Sequence, residues 1–369
     1  MAALLKDVYN PAFFEHFTSI LAKAVPGFEQ QAFLRAVHDE TWPDRELKQR
    51  MKHIAAVLHR LLPGSYDEQL DAIGHIISVL IQNRRSDHGF EYMFFAEFVE
   101  LFGTPHVEAS LRAMEFITQF ASCEFAVRPF IKAHPELVMQ QMMAWSEHPE
   151  HTVRRFSSEG CRPRLPWGMA LHALQKDPTP ILPILENLKN DPSEFVRRSV
   201  ANNLNDIAKD HPDLVLRLAK NWLGQSSETD WVVKHGCRTL LKRGNVEALA
   251  LFGWSEMAGV QIGNLKLTND VIPIGAQLEF AFELQHNGDT ACDLRLEYAI
   301  DYLKSNGKHN RKVFKITENT YLPGQVYHIS RRQSFQNMTT RKHYPGLHRL
   351  TIVVNGKDYE RIEFEISGG

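Results

Sequence analysis

The chain has only four cysteines in 369 residues, Cys123, Cys161, Cys237 and Cys292, and none stand at a paired spacing. That scarcity argues against a disulfide framework and a cysteine zinc site, and it suits a reducing cytoplasm. No apolar run approaches the length of a membrane-spanning helix. There is no glycine-rich phosphate loop, the 18 histidines show no metal spacing, and no Ser–His–Asp arrangement can be read from the residue order. The opening, Met1-Ala-Ala-Leu-Leu-Lys-Asp7, meets an acid too early for a signal peptide. Net charge is only −2, which taken alone gives no reason to expect a polyanionic partner.

The local charge tells more than the sum. Residues 1–150 carry a net −7, 151–250 a net +4, 251–300 a net −5, 301–350 a net +8 and the last 19 a net −2. The middle and one late stretch are therefore basic between acidic flanks, and local fields of this kind guide polyanions even where the whole-chain sum is near zero. The bland alternative is a pair of solvated faces. At 369 residues two domains are expected.

Residues 1 to about 254 read as helical. Glu91-Tyr-Met-Phe-Phe-Ala-Glu-Phe-Val-Glu-Leu-Phe102 sets acids against aromatics at helical spacing. His134-Pro135, Asp177-Pro178-Thr-Pro180, Asp191-Pro192 and His211-Pro212 each suggest a proline in a first helical turn. An internal repeat organises this half. His148-Pro-Glu-His-Thr-Val-Arg-Arg155 matches Asp191-Pro-Ser-Glu-Phe-Val-Arg-Arg198, 43 residues on, and Glu228-Thr-Asp-Trp-Val-Val-Lys-His235 is a weaker third copy. A period near 40 built from helix pairs marks a HEAT-like solenoid, a curved stack with a concave side. The same helix of each copy should line that side, with polar positions Arg155 and Glu159, then Arg198, Asn202 and Asp206, then Lys234 and Arg238. The plainer alternative is a solvent-facing ladder of ion pairs, each contributing a few tenths of a kcal/mol. Trp145, Trp222, Trp231 and Trp254 read as core anchors.

After Gly253-Trp254 the period changes to two. Val260–Thr268, Gln277–Leu284, Leu294–Ile300 and Leu347–Val354 alternate apolar and polar, and Asn287-Gly288, Asn306-Gly307 and Asn355-Gly356 read as hairpin turns. Seven or so strands in about 110 residues indicate an immunoglobulin-like β-sandwich. The fold expected is mainly α, a HEAT-like helical-repeat domain over 1–254 followed by the sandwich over 259–369. Basic residues from Lys304 to Lys342 cluster in the second domain.

Two stretches carry the chemistry. In Thr152-Val-Arg-Arg-Phe-Ser-Ser-Glu-Gly-Cys-Arg-Pro-Arg-Leu-Pro-Trp167, Arg155 and Glu159 share a helical face, and Gly160 and Pro163 end the helix and bring Trp167 near. In Ser122-Cys-Glu-Phe-Ala-Val-Arg-Pro-Phe130, Glu124 stands beside apolar residues, either as a second acid facing one cavity or as a helix-start acid. These stretches, with Ala201-Asn-Asn-Leu-Asn-Asp-Ile-Ala-Lys-Asp-His-Pro212 and Trp231-Val-Val-Lys-His-Gly-Cys-Arg-Thr-Leu-Leu-Lys-Arg-Gly244, resemble the AlkC family of bacterial DNA alkylation-repair glycosylases over most of the chain.

The resemblance implies a monofunctional glycosylase that removes cationic N-alkylated bases, 3-methyladenine and 3-methylcytosine, from duplex DNA in base excision repair without fully flipping the base. It implies no cofactor, no metal and no membrane, a monomer, and a cytoplasmic protein held to the nucleoid through DNA. Carried residue by residue, it assigns Glu159, Glu124 and Asp206 as acids, with Trp167 and Arg155 in support. Contacts to duplex DNA are expected from Arg162, Arg164, Arg198, Lys234 and Arg238, and in the sandwich from Lys308, Arg311, Lys312, Arg341 and Lys342. Alkylation leaves the base cationic and ready to depart, so the protein must stabilise an oxocarbenium-like sugar and position a water. Two rivals stay open, a HEAT-repeat scaffold that binds proteins and a DNA-binding protein without catalysis, because fold alone does not choose among them.

Overall fold

A computed structural model describes residues 4–83, 89–254, 259–338 and 341–368. The first three residues of the amino-terminal stretch read above fall outside this set. The described residues group into two compact units, Met1–Asp210 with Leu223–Gly236, and His211–Trp222 with Cys237–Gly369. Among the described residues no helix is long and apolar enough to cross a membrane.

The first unit is helical. Its early part is an aromatic core. Phe17, Phe33, Phe94 and Phe95 are fully buried, and the Phe17 ring lies 5.2 Å from Phe94 and 5.9 Å from Phe33. Burying each such ring contributes about 1.5–3 kcal/mol. The expected amphipathic stretch from Glu91 to Phe102 is divided into a short 3-10 turn, Phe90–Tyr92, and a helix, Phe94–Phe102. Further along come the three copies of the repeat. Their helices are His151–Gly160, Glu194–Ile207 and Ser227–Gly236, and the middle one packs against both others. Pro135 opens its helix as expected, whereas Pro192 stands ahead of Ser193, the residue just before the Glu194–Ile207 helix.

The repeat is visible at atomic level. Arg154 donates to the carbonyls of His148 and Pro149, and Arg197 donates to those of Asp191 and Pro192. Each arginine thus satisfies the loop that opens its own helix. Arg154 also forks onto the Asp191 carboxylate at 2.6 and 3.1 Å, tying the first copy to the second.

The second unit holds the helices Pro212–Trp222, Arg238–Lys242 and Val246–Leu251 together with eight strands. These are β1 (Val260–Leu267), β2 (Val271–Pro273), β3 (Gln277–His286), β4 (Cys292–Leu303), β5 (His309–Tyr321), β6 (Val326–Ser334), β7 (Gly346–Val354) and β8 (Lys357–Ser367). One sheet runs β1-β3-β6 and the other β2-β8-β7-β4-β5, as in an immunoglobulin-like sandwich. Phe280, Phe282, Tyr298, Ile300, Phe335, Leu350 and Phe364 fill the space between them. Asn355 and Gly356 close the β7–β8 hairpin with φ of 47° and 77°, the left-handed pair that a two-residue turn requires. Asn306-Gly307 lies in the β4–β5 hairpin. Asn287-Gly288 is not a hairpin turn. It joins β3 to β4, which lie in different sheets, because both strands feed the same core from opposite sides.

Candidate active site

The site is a row of alternating charges in the first unit. Glu124 stands in the turn before the helix Arg128–Ala133, and its carboxylate accepts from Arg155 Nη1 at 3.1 Å and Nη2 at 3.4 Å. Arg155 Nη2 lies 3.7 Å from Glu159 Oε1, one helical turn on. Arg162 Nη1 donates to the same Oε1 at 2.6 Å. Arg162 Nε reaches across to Asp206 Oδ2 at 2.9 Å, and Lys209 Nζ donates to Asp206 Oδ1 at 2.9 Å. The order is Glu124, Arg155, Glu159, Arg162, Asp206, Lys209, three anions interleaved with three cations.

Local sequence explains how these side chains gather. Arg155 and Glu159 sit at i and i+4 on the His151–Gly160 helix, and Arg162 follows at i+3 from Glu159. Asp206 and Lys209 come from the end of the second repeat helix, which packs against the first. Burial makes the pairing obligatory. The side chains of Glu159 and Arg162 are each 8% exposed and that of Asp206 is 2% exposed, so an unpaired charge would be costly. Burial lowers the Arg162 pKa, but the adjacent Glu159 and Asp206 outweigh it and raise the value overall.

Of the three acids in the row Glu124 is the most open, its side chain 12% exposed and that of its partner Arg155 14% exposed. There the Arg155 guanidinium also donates to Ser122 Oγ at 2.6 Å and lies 4.8 Å over the half-exposed Phe195 ring. Ser199 Oγ donates to Glu159 Oε2 at 2.7 Å. Trp167 is 73% exposed, with a φ of 64° that side chains other than glycine rarely adopt. Cys123 and Cys161, next to Glu124 and just beyond Glu159, are fully buried. Burial pushes the Cys161 thiol up to about 12 and raises that of Cys123 as well.

The residues expected to meet DNA fall into distinct surroundings. Arg162 differs from expectation. It is buried between two carboxylates rather than lying on an open face, because the loop after Gly160 turns it inward toward Asp206. Arg164 is exposed and forks onto Asp210 at 2.8 and 3.1 Å. Arg198 is exposed and pairs with Glu194 one turn earlier. Lys234 is exposed on the third repeat helix, and Arg238 is half-buried at the start of the Arg238–Lys242 helix. In the sandwich, Lys308 and Lys342 are exposed, Arg311 pairs with Asp358, and Arg341 lies 5.9 Å over the Tyr302 ring. Lys312 is half-buried, and its pKa is lowered by burial and then by Arg341 and Lys304. Trp145, Trp222 and Trp254 are buried, as expected of core anchors. Trp231 differs from that expectation: it is 38% exposed, its ring stacked on His235, because Val232 and Val233 are the residues of that helix turned into the core.

Sequence reasoning missed Ser122, Ser199, Phe195, Lys209 and Arg128. Only Arg128 left a signal, as a lone cation in the apolar run Phe125–Phe130.

Comparison with known proteins fits this geometry. The model of a family described as DNA alkylation repair enzyme matches residues 93–240, which contain the whole charged row. A second model, described as the C-terminal Ig-like domain of the uncharacterised protein YhaZ, matches residues 261–368. A helical-repeat layer bearing this row, followed by such a sandwich, defines the chain as a DNA alkylation-repair protein of the helical type. Uncharacterized protein YhaZ of Bacillus subtilis (strain 168) is 41% identical over 362 residues, 98% of this chain and 99% of that one. The alkylpurine DNA glycosylase AlkC of Pseudomonas fluorescens, solved bound to DNA containing an abasic site analog, is 36% identical, superposes with a TM-score of 0.93 and covers 99% of this chain and 100% of that one. The chain belongs to the AlkC family.

Proposed function

We propose that the protein is a monofunctional DNA glycosylase that excises cationic N-alkylated bases, 3-methyladenine and 3-methylcytosine, from duplex DNA without drawing the base fully out of the helix. The observation that carries this reading is the convergence of Glu124 and Glu159, the two more open acids of the row, on one guanidinium, that of Arg155, on the same unit as the projecting Trp167.

The chemistry follows from charge. In an alkylated base the ring already bears a positive charge, so the N-glycosidic bond breaks with its electron pair passing to the base nitrogen and leaves a neutral base. The sugar becomes oxocarbenium-like. Carboxylates preorganised beside it stabilise that cation, and a water whose proton passes to a carboxylate attacks the anomeric carbon. Glu159 accepts from both Arg162 and Ser199, whereas among the described residues Glu124 accepts from Arg155 alone. Glu124 therefore keeps more acceptor capacity for a water, and Glu159 holds the pair in place and adds negative potential. Asp206, gripped by Arg162 and Lys209, fixes Arg162. Trp167 packs on the exposed sugar or base.

Phosphates are met by the exposed Arg164, Arg198 and Lys234 and, on the sandwich, by Lys308, Arg311, Lys312, Arg341 and Lys342, with the protein acting as a monomer on alkylated duplex. Affinity then falls steeply with salt. The test is release of base from duplexes bearing 3-methyladenine, 3-methylcytosine and 7-methylguanine. Loss of the first two in Glu124→Gln and Glu159→Gln, with duplex binding retained, is the expected result, and wild-type rates in both would overturn the reading.

A further inference from the structure

Trp167 is held out against two ordinary forces. Its ring is 73% exposed, so burial does not fix it, and its backbone is left-handed, so local preference opposes it. Something else keeps it there. Its carbonyl accepts from Lys48 Nζ at 2.6 Å, although Lys48 lies 119 residues earlier, on the helix Leu47–Leu61. The same ammonium stands 4.5 Å over the ring of Phe125, the neighbour of Glu124. Two residues past Trp167, the Met169 carbonyl accepts from Arg128 Nε at 2.5 Å. Arg128 Nη1 donates to the Gly160 carbonyl at 2.9 Å, the last residue of the helix that carries Arg155 and Glu159.

Arg128 is fully buried, its Nη2 has no partner among the described residues, and its two bonded acceptors there are carbonyls. A cation at a helix C-terminus is favoured by the dipole, which suits it to this place. Between the two anchored carbonyls lies Gly168. A Cβ there would stand 3.1 Å from Leu165 Cδ2 and 3.3 Å from Arg128 Cδ and Nε, so the bend lies tightly on the guanidinium.

We propose that Lys48 and Arg128 are positioning residues, a two-point clamp on the carbonyls of Trp167 and Met169 that holds the indole projected beside the Glu124–Glu159 pair. This rests on the reading of Trp167 as the group that packs on the damaged nucleotide. The clamp ties the indole to both acids at once, since Lys48 sits on Phe125 and Arg128 on the end of the Glu159 helix. Misplacement by an ångström is enough to lower such a rate strongly.

The test uses the full chain labelled with 5-fluorotryptophan, which gives six resonances for its six tryptophans, with Trp167→Phe identifying the relevant one. Lys48→Met and Arg128→Lys should each shift and narrow the Trp167 resonance and leave the other five in place. Excision should fall about tenfold with affinity for an abasic duplex changed less than about threefold, and neither substitution should lower the rate further in a Trp167→Ala background. Lys48 is on the surface, so its variant keeps the test open if Arg128→Lys weakens folding. An unmoved Trp167 resonance in Lys48→Met, or the same fold-loss with and without Trp167, would overturn the clamp. If the wild-type protein excises nothing, the functional reading fails by itself while the resonance still decides the clamp.

Discussion

The first two copies of the repeat carry the same tripeptide, Val153-Arg154-Arg155 and Val196-Arg197-Arg198, yet their second arginines meet different surroundings. Arg155 is nearly buried, shared between Glu124 and Glu159 and laid over Phe195. Arg198 has a side chain 61% exposed and pairs with Glu194, itself equally exposed. The difference comes from what stands around the motif. The first copy has Glu159 one turn on and Glu124 arriving from the preceding turn, while the second has Asn202 at the matching place. A repeat supplies the scaffold, and the neighbours of one copy turn it into a candidate reaction centre.

The comparison can be broken in several ways, and the severest acts on the buried row. Arg162→Met leaves Glu159 and Asp206 without their shared cation. We expect about 3–5 kcal/mol lost in urea unfolding and no excision. A loss under about 1 kcal/mol would mean that the row does not depend on alternation. Next in size, Glu159→Gln and Glu124→Gln should each lower single-turnover excision by about 10²–10³-fold. Equal rates in all three proteins would make the first copy no more special than the second.

The loop-holding arginines offer a sharper contrast. Arg154→Ala removes a fork onto buried Asp191 as well as two carbonyl contacts, and should cost about 2–3 kcal/mol. Arg197→Ala removes two carbonyl contacts and a weak attraction to Glu228 and should cost about 1 kcal/mol. A reversed order, read from denaturant midpoints, would contradict the bond pattern. Smallest of all, Arg198→Ala should leave excision at saturating protein unchanged and reduce the salt slope of duplex binding by about 0.9. An unaltered slope would place the second copy's arginine off the phosphates.

Much of this was legible in the residues. The 43-residue displacement correctly placed the first two repeat helices, the period-two alternation marked β1, β3, β4 and β7, and i, i+4 spacing paired Arg155 with Glu159. What could not be read were contacts made by packing. Arg162 meets Asp206 across 44 residues and Lys48 meets the Trp167 carbonyl across 119, and no local pattern encodes either distance. Arg162 looked like an open phosphate contact because a surface and a buried arginine have the same one-letter neighbourhood. Trp231 reads as buried because its type usually is, but its helix turns Val232 and Val233 inward and leaves the indole stacked on His235. The Asn287-Gly288 pair carried a hairpin signal, yet the two core faces on either side of it demanded a change of sheet.

The sealed sulfurs beside the two glutamates have a consequence for survival under chemical attack. Cys123 and Cys161 see no solvent, and their thiols stay protonated at ordinary pH. Electrophiles react with thiolates, so neither is an easy target. A member of a DNA alkylation-repair family works while alkylating reagents are still about, and here the two sulfurs next to the acids are kept out of their reach.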